Sequence, residues 1–214
     1  MLKKEAEKQK EKRLARAAIK RRLSTITEEE NREAGQAMLT YLRQSNAYRM
    51  ARVVFCFVST KKEPDTTPFL QQVLNDGKRL CVPLCLGKGQ MEAREITSLD
   101  QLKPGLFGIL EPKEDTPLVS EKDIDFCAAP CLAAAKDGTR IGHGGGYYDR
   151  FMPKLSSRCY CVVLCNEKML CETLPAGKTD YRFHRIITQS GMVRVEQREE
   201  NEETSAQDEV TPKS

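Results

Sequence analysis

The sequence has no long apolar run. No stretch approaches the roughly 18–20 consecutive apolar residues that a transmembrane helix needs, and the first apolar cluster is interrupted by Lys and Arg rather than forming the apolar region of a secretory signal. We therefore expect a cytoplasmic protein that has no membrane partner.

The cysteines lack the spacing of a zinc site. There are nine of them, an odd number, and Cys-x-x-Cys does not occur; Cys81 and Cys85, like Cys127 and Cys131, are separated by three residues. Most lie in apolar runs such as 159–165, where a thiol packs as a small hydrophobic group. We expect reduced thiols, with neither disulfides nor a thiolate-bound metal.

The chain has little excess of either charge, and aromatic residues make up only 6% of it. Its net charge of +4 combines +7 over residues 1–22 with −5 over residues 196–214. Nucleic-acid binding usually shows as a basic surface interleaved with aromatic residues, so we expect no nucleic-acid partner. The acidic composition of residues 196–214 predicts a disordered tail.

The length of 214 residues fits one domain. We assign that domain to residues 1–195, including a basic helix over 1–23, and expect a monomer. A second helix is predicted from the capping box at 27–30 onward, through Leu42.

From residue 52 onward the pattern alternates between strands and helices. Residues 52–59 and 79–85 have the continuous apolar character of strands buried on both faces of a parallel sheet, and a helix between them completes a βαβ unit. Further strands are predicted at 126–129, 158–165 and 185–188, with a helix at 147–155. The predicted class is α/β, a mostly parallel sheet flanked by helices with an amino-terminal helical segment, and ligands are expected beyond the carboxyl ends of the strands.

Four glycines fall within residues 142–146. A loop without side chains lets its backbone amides approach an anion, and the predicted helix after it adds a favourable dipole. A flexible linker is the alternative, but the chain continues directly into Tyr147, Tyr148 and Asp149 and an apolar helix. We therefore predict a phosphate-binding loop.

Three familiar motifs overlap this region only in part. The glycine spacing does not match a dinucleotide fingerprint. His143 and the three glycines after it resemble a lipase oxyanion loop, but the chain lacks the Gly-x-Ser-x-Gly nucleophile motif that such a loop serves. Residues 177–179 copy the end of a Walker A loop whose first glycine is replaced by Glu172. We interpret all three as coincidences.

The stretch from Arg140 to Arg150, Arg-Ile-Gly-His-Gly-Gly-Gly-Tyr-Tyr-Asp-Arg, resembles the signature of the 5-formyltetrahydrofolate cyclo-ligases. Weaker matches lie in the order expected of that family: Lys12 and Arg16 on the basic helix, Glu63-Pro64-Asp65-Thr66, and the segments 107–112 and 174–180. The resemblance implies an enzyme that uses ATP and Mg²⁺ to close 5-formyltetrahydrofolate into 5,10-methenyltetrahydrofolate, releasing ADP and phosphate. In that reaction the formyl oxygen is phosphorylated, the neighbouring folate amine attacks, and phosphate leaves.

The resemblance also implies the site residues. Those assigned to ATP are Lys12, Arg16, Arg140, Ile141, Gly142, His143, Gly144, Gly145, Gly146, Tyr147, Tyr148 and Asp149. Among them Arg140 and Tyr147 are assigned catalytic roles, whereas core packing is the preferred interpretation of the Tyr148 ring.

Val58, Ser59, Glu63 and Tyr147 are assigned to the folate. The Glu63 carboxylate can accept two hydrogen bonds from an aminopyrimidine edge, although its residue type alone equally fits a solvated loop. Asp149 and Asp180 correspond to the magnesium ligands, which are oxygen donors in proteins.

The chain departs from the family pattern at four positions. Gly145 stands where some members have a lysine. The positive charge that meets the phosphates must therefore come from another residue, with Lys12, Arg16 and Arg140 as the options. Cys85 stands in place of a folate-contacting tyrosine, Cys131 in place of a common Pro-Gly pair, and His184 in place of a frequent aspartate.

Two other functions fit part of the pattern. A related α/β ATP-dependent enzyme could act on another small carbonyl or amide substrate, because a fold and a loop do not define a substrate. A non-catalytic nucleotide- or RNA-binding protein could act through the basic amino-terminal helix. The role of Glu63 distinguishes the first of these, and the salt dependence of RNA binding distinguishes the second.

Overall fold

The computed structural model describes residues 2–177 and 180–195, with side chains from residue 10 onward except that of Phe107. The predicted disordered tail, 196–214, lies outside the described residues. The helices are α1 (Leu2–Leu23), α2 (Glu28–Gln44), α3 (Asn46–Met50), α4 (Thr67–Asn75) and α5 (Tyr147–Phe151). The strands are β1 (Val53–Cys56), β2 (Arg79–Gly87), β3 (Gln90–Ile96), β4 (Leu102–Pro104), β5 (Leu110–Pro112), β6 (Leu118–Val119), β7 (Phe126–Pro130), β8 (Ala133–Ala135), β9 (Arg140–Ile141), β10 (Tyr160–Leu164), β11 (Leu170–Cys171), β12 (Arg185–Thr188) and β13 (Gly191–Arg194).

An eight-stranded sheet in the order β13-β12-β10-β7-β1-β2-β3-β6 forms the centre of the protein. Its five inner strands, from β12 to β2, pair in parallel, whereas β13, β3 and β6 pair antiparallel at the two sides. All four residues of β1 are buried, as expected of a strand covered on both faces. The predicted α/β class with a mostly parallel sheet is confirmed.

Helices cover both faces of this sheet. Ile19 of α1 belongs to the hydrophobic cluster on one face, and Met38 and Leu42 of α2 belong to the cluster on the other. The predicted capping box begins α2: the Thr27 hydroxyl accepts from the Glu30 amide at 3.1 Å, and the Glu30 carboxylate accepts from the Thr27 amide at 2.8 Å. Within the described residues, no helix combines the length and apolar character of a membrane span.

Several predicted boundaries were wrong. The strand predicted over 52–59 ends at Cys56, because the backbone beyond it bonds to a loop: the Thr66 hydroxyl donates to the Phe57 carbonyl and accepts from the Ser59 amide, both at 3.0 Å. The helix predicted over 147–155 is α-helical only to Phe151 and continues as a 3₁₀ turn, where Pro153 has no amide to donate.

The side strands were not predicted. β3 has the sequence Gln-Met-Glu-Ala-Arg-Glu-Ile, in which charged residues alternate with the buried Met91, Ala93 and Ile96. It follows β2 through a tight turn that uses Gly87 and Gly89 at positive φ. This hairpin extends the sheet toward the ligand cavity described below.

Gly35 sets how closely α2 approaches the loop at 60–66. A Cβ on Gly35 would lie 2.0 Å from the carbonyl oxygen of Asp65, whose amide donates to the Asn31 carbonyl at 2.9 Å. The contact is between backbone atoms on both sides, so relieving an overlap would require α2 or the loop itself to shift.

We expect Gly35→Ala to lower the free energy of unfolding by about 1–3 kcal/mol, because the overlap outweighs the gain in helix propensity. Unfolding in urea measures this change in the free energy of unfolding. Gln36→Ala, at an exposed position of the same helix, is the control. A Gly35→Ala protein as stable as the wild type would show that the loop is free to withdraw.

Candidate active site

A cavity of about 810 Å³ opens where β1, β2 and β7 end. Its lining includes most residues that the sequence assigned to a site: Lys12, Arg16, Val58, Glu63, Arg140, Gly142, His143, Gly144, Gly145, Gly146, Tyr147, Tyr148, Asp149 and Asp180. Ile141 is buried in the core, and Ser59 bonds to Asp65 and Thr66 outside the lining. Tertiary folding therefore brings together segments from α1, the loop after β1 and the glycine loop.

The glycine loop (residues 142–146) turns its carbonyls toward arginines. The Gly142 carbonyl accepts from Arg16 Nε at 3.2 Å, and the Gly145 carbonyl accepts from Arg150 Nη1 at 3.1 Å. Among the described residues, the amides of 143–146 find no protein acceptor. Consecutive free amides form a concavity that binds anions. The helix that follows, α5, has only five residues, so the loop amides and nearby cations, rather than a long helix dipole, supply the positive potential.

Lys12 and Arg16 of α1 both face the cavity, as does Lys20. Lys12, only 8% exposed, donates to the Asp180 carboxylate at 2.6 Å. Asp180 also accepts from the Gly177 amide at 2.7 Å. Sequence reasoning treated Lys12 as a countercharge for phosphate and Asp180 as a metal ligand; in this structure they neutralise each other.

Arg140 lies beneath the glycine loop in an aromatic setting. Its guanidinium donates to Asp149 at 3.2 Å and lies over the Tyr148 and Phe183 rings, 5.3 and 5.6 Å from their centroids. Its Nε is buried and has no hydrogen-bond partner among the described residues. A buried donor without an acceptor is costly, and the same side chain lines the cavity. The Tyr148 ring packs against both core clusters, as expected.

Glu63 lies in the loop after β1 and lines the same cavity. It is 8% exposed, and its Oε2 accepts from the amide and the hydroxyl of Thr60, each at 2.9 Å. No protein donor to Oε1 is found in the described part of the chain. A carboxylate held by one oxygen and lining a cavity can accept donors from a ligand.

Sequence reasoning assigned no role to Glu111, although it quoted the segment 107–112 for its resemblance. Glu111 is buried, lines the cavity, and accepts from the amides of Cys85 and Leu106 at 3.3 and 3.2 Å. Burial, together with a hydrogen bond to Glu111, raises the pKa of Cys85 to about 12. The Cys85 thiol is therefore neutral near pH 7 and is not a nucleophile.

The remaining departures from the family pattern lie away from the cavity. The His184 ring accepts from the Cys161 amide at 3.0 Å and stacks on Tyr160, and the Cys131 thiol is buried against the Leu164 carbonyl. These two substitutions belong to the packing of β10 and do not change the cavity wall.

Asp149 and Asp180 are the acidic residues available for a cation at the phosphate side. Both line the cavity, and each is paired with a basic residue, Arg140 or Lys12. No cluster of three or more His, Cys, Asp or Glu that could hold a metal occurs among the described residues. Two carboxylates fit Mg²⁺, which usually completes its octahedron with phosphate oxygens and water.

Comparisons with known proteins agree with one another. The sequence profile described as "5-formyltetrahydrofolate cyclo-ligase family" matches residues 8–189. A 5-formyltetrahydrofolate cyclo-ligase of Escherichia coli is 28% identical, covering 80% of this chain and 97% of its own, and a probable 5-formyltetrahydrofolate cyclo-ligase of Caenorhabditis elegans is 27% identical, covering 80% and 89%. The NMR structure of Aquifex aeolicus 5,10-methenyltetrahydrofolate synthetase superposes with a TM-score of 0.74 at 25% identity, covering 94% of this chain and 97% of that one.

We expect Lys12→Ala to lower the free energy of unfolding by about 1–3 kcal/mol, because it leaves the half-buried Asp180 carboxylate without its cation. Lys10→Ala, at an exposed position of the same helix, should stay within about 0.5 kcal/mol of the wild type. Chemical denaturation measures both. The double variant Lys12→Ala/Asp180→Ala should recover part of the loss, because neither charge is then unpaired; strictly additive losses would contradict a coupled pair.

Proposed function

The chain belongs to the 5-formyltetrahydrofolate cyclo-ligase family, and we propose that it uses ATP and Mg²⁺ to convert 5-formyltetrahydrofolate to 5,10-methenyltetrahydrofolate, ADP and phosphate. The observation that carries the proposal is that one cavity combines two chemically different sets of groups. Free amides and cations belong to one set, and the buried carboxylate of Glu63 belongs to the other.

The glycine loop and the cations around it suit the phosphates of ATP. The amides of 143–146 can each donate to a phosphate oxygen, and Lys12, Arg16 and Arg140 supply positive charge from two sides. ATP phosphates would compete with Asp180 for Lys12 and with Asp149 for Arg140. Ligand binding would thereby release the two carboxylates from their ion pairs.

Those two carboxylates, Asp149 and Asp180, would then hold magnesium together with phosphate oxygens. Magnesium bound there offsets part of the negative charge of the phosphates. The residues of the chain fit this role because both carboxylates line the cavity and can supply oxygen ligands.

The Glu63 carboxylate suits the pterin of the folate. The free oxygen of Glu63 can accept from the aminopyrimidine edge, while Thr60 holds the other oxygen in place. Val58 lines the wall next to it, and Ser59 supports the loop through its bonds to Asp65 and Thr66. Glu111 stabilises the wall at Cys85 and Leu106.

Arg140 and Tyr147 line the same cavity, and we assign the catalytic roles to them. In the first step the formyl oxygen forms a bond to the γ-phosphorus and ADP leaves. In the second, the N10 amine attacks the formyl carbon and loses its proton, and phosphate leaves with the formyl oxygen. In this proposal Arg140 would stabilise the charge on the transferred group, and Tyr147 would hold the formyl group beside the loop.

Other functions fit the cavity less well. A different carbonyl or amide substrate would not need the buried carboxylate of Glu63, which lines the same cavity as the glycine loop. Binding of RNA through α1 is less favoured because Lys12 and Arg16 face the cavity and few aromatic residues are available for stacking. We further propose a cytoplasmic, monomeric enzyme that binds no nucleic acid.

The direct experiment is to incubate the protein with ATP, Mg²⁺ and 5-formyltetrahydrofolate and to follow the methenyl chromophore. Product should form only when all three are present. Binding of ATP and the folate without formation of the chromophore would instead favour the related enzyme with another substrate.

We expect Glu63→Gln to raise the dissociation constant for 5-formyltetrahydrofolate about 10- to 100-fold, since it replaces a charged acceptor by a neutral amide worth about 1.5–3 kcal/mol less. The dissociation constant for ATP should stay within about twofold. Isothermal titration of each ligand measures both values. Glu114→Gln, in an exposed loop, is the control. Unchanged folate affinity in Glu63→Gln would return Glu63 to the role of an ordinary loop glutamate.

We expect Asp149→Asn and Asp180→Asn to raise the Mg²⁺ concentration needed for half-maximal turnover and to lower turnover by orders of magnitude at low Mg²⁺. Excess Mg²⁺ should partly restore the less affected variant. Activity over a magnesium titration, with thermal melting of the same proteins, separates metal binding from the ion pairs with Arg140 and Lys12. Asp115→Asn is the exposed control. A wild-type magnesium profile in Asp149→Asn would remove that residue from the metal site.

A further inference from the structure

Arg150 joins two walls of the cavity that are distant in sequence. Its Nη1 donates to the Gly145 carbonyl of the glycine loop at 3.1 Å and to the Gly89 carbonyl of the β2–β3 hairpin at 3.3 Å. The hairpin contributes Cys85 and Met91 to the cavity, and Arg150 itself lines it. The packing at this junction is tight, because a Cβ on Gly89 would lie 1.9 Å from Arg150 Nη1 and 2.6 Å from the Gly145 oxygen.

The bond to Gly145 determines which way the loop presents its amides. The peptide between Gly145 and Gly146 is trans and planar, so its C=O and N–H point in opposite directions. With the carbonyl held on Arg150, the Gly146 N–H points away from that guanidinium, and it has no protein acceptor among the described residues. If the Gly145 carbonyl were released, rotation of this peptide would direct its carbonyl oxygen, the negative end of the peptide dipole, toward a bound anion.

Arg150 also contributes charge that is not already neutralised. Lys12 and Arg140 are paired with Asp180 and Asp149, whereas within the described residues no carboxylate pairs with Arg150. A cationic side chain could not readily stand in the loop itself at 145, because a Cβ there would lie 2.8 Å from the Tyr147 ring. The positive charge next to this part of the loop therefore comes from outside it.

We propose that Arg150 is a positioning residue for the phosphates of ATP, holding the Gly145 carbonyl on its guanidinium and placing an uncompensated positive charge beside the glycine loop. The inference rests on the proposed function, since it takes ATP as the ligand of the loop. It adds the β2–β3 hairpin to the structures on which phosphate binding depends.

The test measures ATP and 5-formyltetrahydrofolate binding separately, by calorimetry, in the full-length wild type and in Arg150→Ala and Arg150→Lys. Arg150→Ala should weaken ATP binding about 10- to 100-fold, as expected for loss of a charged hydrogen-bond donor. Folate affinity should change less than about twofold, and the melting temperature should hardly change, because the side chain is exposed. Arg150→Lys should recover most of the ATP affinity, since it keeps the charge and a donor. Lys88→Ala, which removes an exposed charge from the same hairpin, should bind ATP normally.

A second pair of variants displaces the bridge from the hairpin side. Gly89→Ala should weaken ATP binding as Arg150→Ala does, because its methyl group would occupy the position of Nη1. Gly87→Ala is its matched control: both glycines have positive φ, +84° and +75° for 87 and 89, but a Cβ at 87 meets nothing within 4 Å. Gly87→Ala should therefore share the backbone strain and keep the ATP affinity.

The outcomes separate this inference from the proposed function. A wild-type protein that binds no ATP overturns both. Two results would overturn the role of Arg150 and leave the proposed function standing. One is that the wild type binds ATP and the ATP affinity of Arg150→Ala is within about twofold of it. The other is that Arg150→Lys and Arg150→Ala lose the same amount of ATP affinity. Early melting of Arg150→Ala with normal ATP affinity would show a purely structural residue, which also overturns the inference.

Discussion

The cavity depends on the orientation of a short stretch of backbone. Among the described residues the amides of 143–146 have no protein acceptor, and the glycines of the loop leave the orientation of their peptide groups to external contacts. Arg16 from α1 and Arg150 from α5 each hold one carbonyl. The docking of α1 and the position of the β2–β3 hairpin are thus linked to the shape of the same loop.

Charge in the cavity is balanced in a way that a ligand can alter. Lys12 and Asp180 form a nearly buried pair, and the buried Arg140 is paired with Asp149, whose side chain is 49% exposed. Such pairs remove the large penalty of an isolated buried charge without adding much net stability. They also keep cations and carboxylates close to where phosphates and a divalent ion would need them. Glu63 and Glu111 line the same cavity, held by the Thr60 hydroxyl and by backbone amides.

The parts of the fold predicted correctly are those whose signal is local. The apolar runs of β1, β2, β7, β10 and β12 and the capping box at Thr27 each follow from neighbouring residues, and the resemblance read from residues 140–150 is confirmed by the family match over 8–189. The side strands β3, β6 and β13 were missed because they are half-exposed and pair with strands already in place. Their apolar content does not distinguish them from loops.

For the site, the sequence by itself determined which residue types are available: glycines without side chains, cations one helical turn apart at Lys12 and Arg16, and an acidic residue at Glu63. Only the tertiary structure decided how they are used. It paired Lys12 with Asp180 across 168 positions and brought Glu111 to the backbone of Cys85. It also placed Arg150 between Gly145 and Gly89. The physical reason is that hydrogen bonds and ion pairs act over a few ångströms in space, so their partners are defined by the packing of the sheet and its loops and not by distance along the chain.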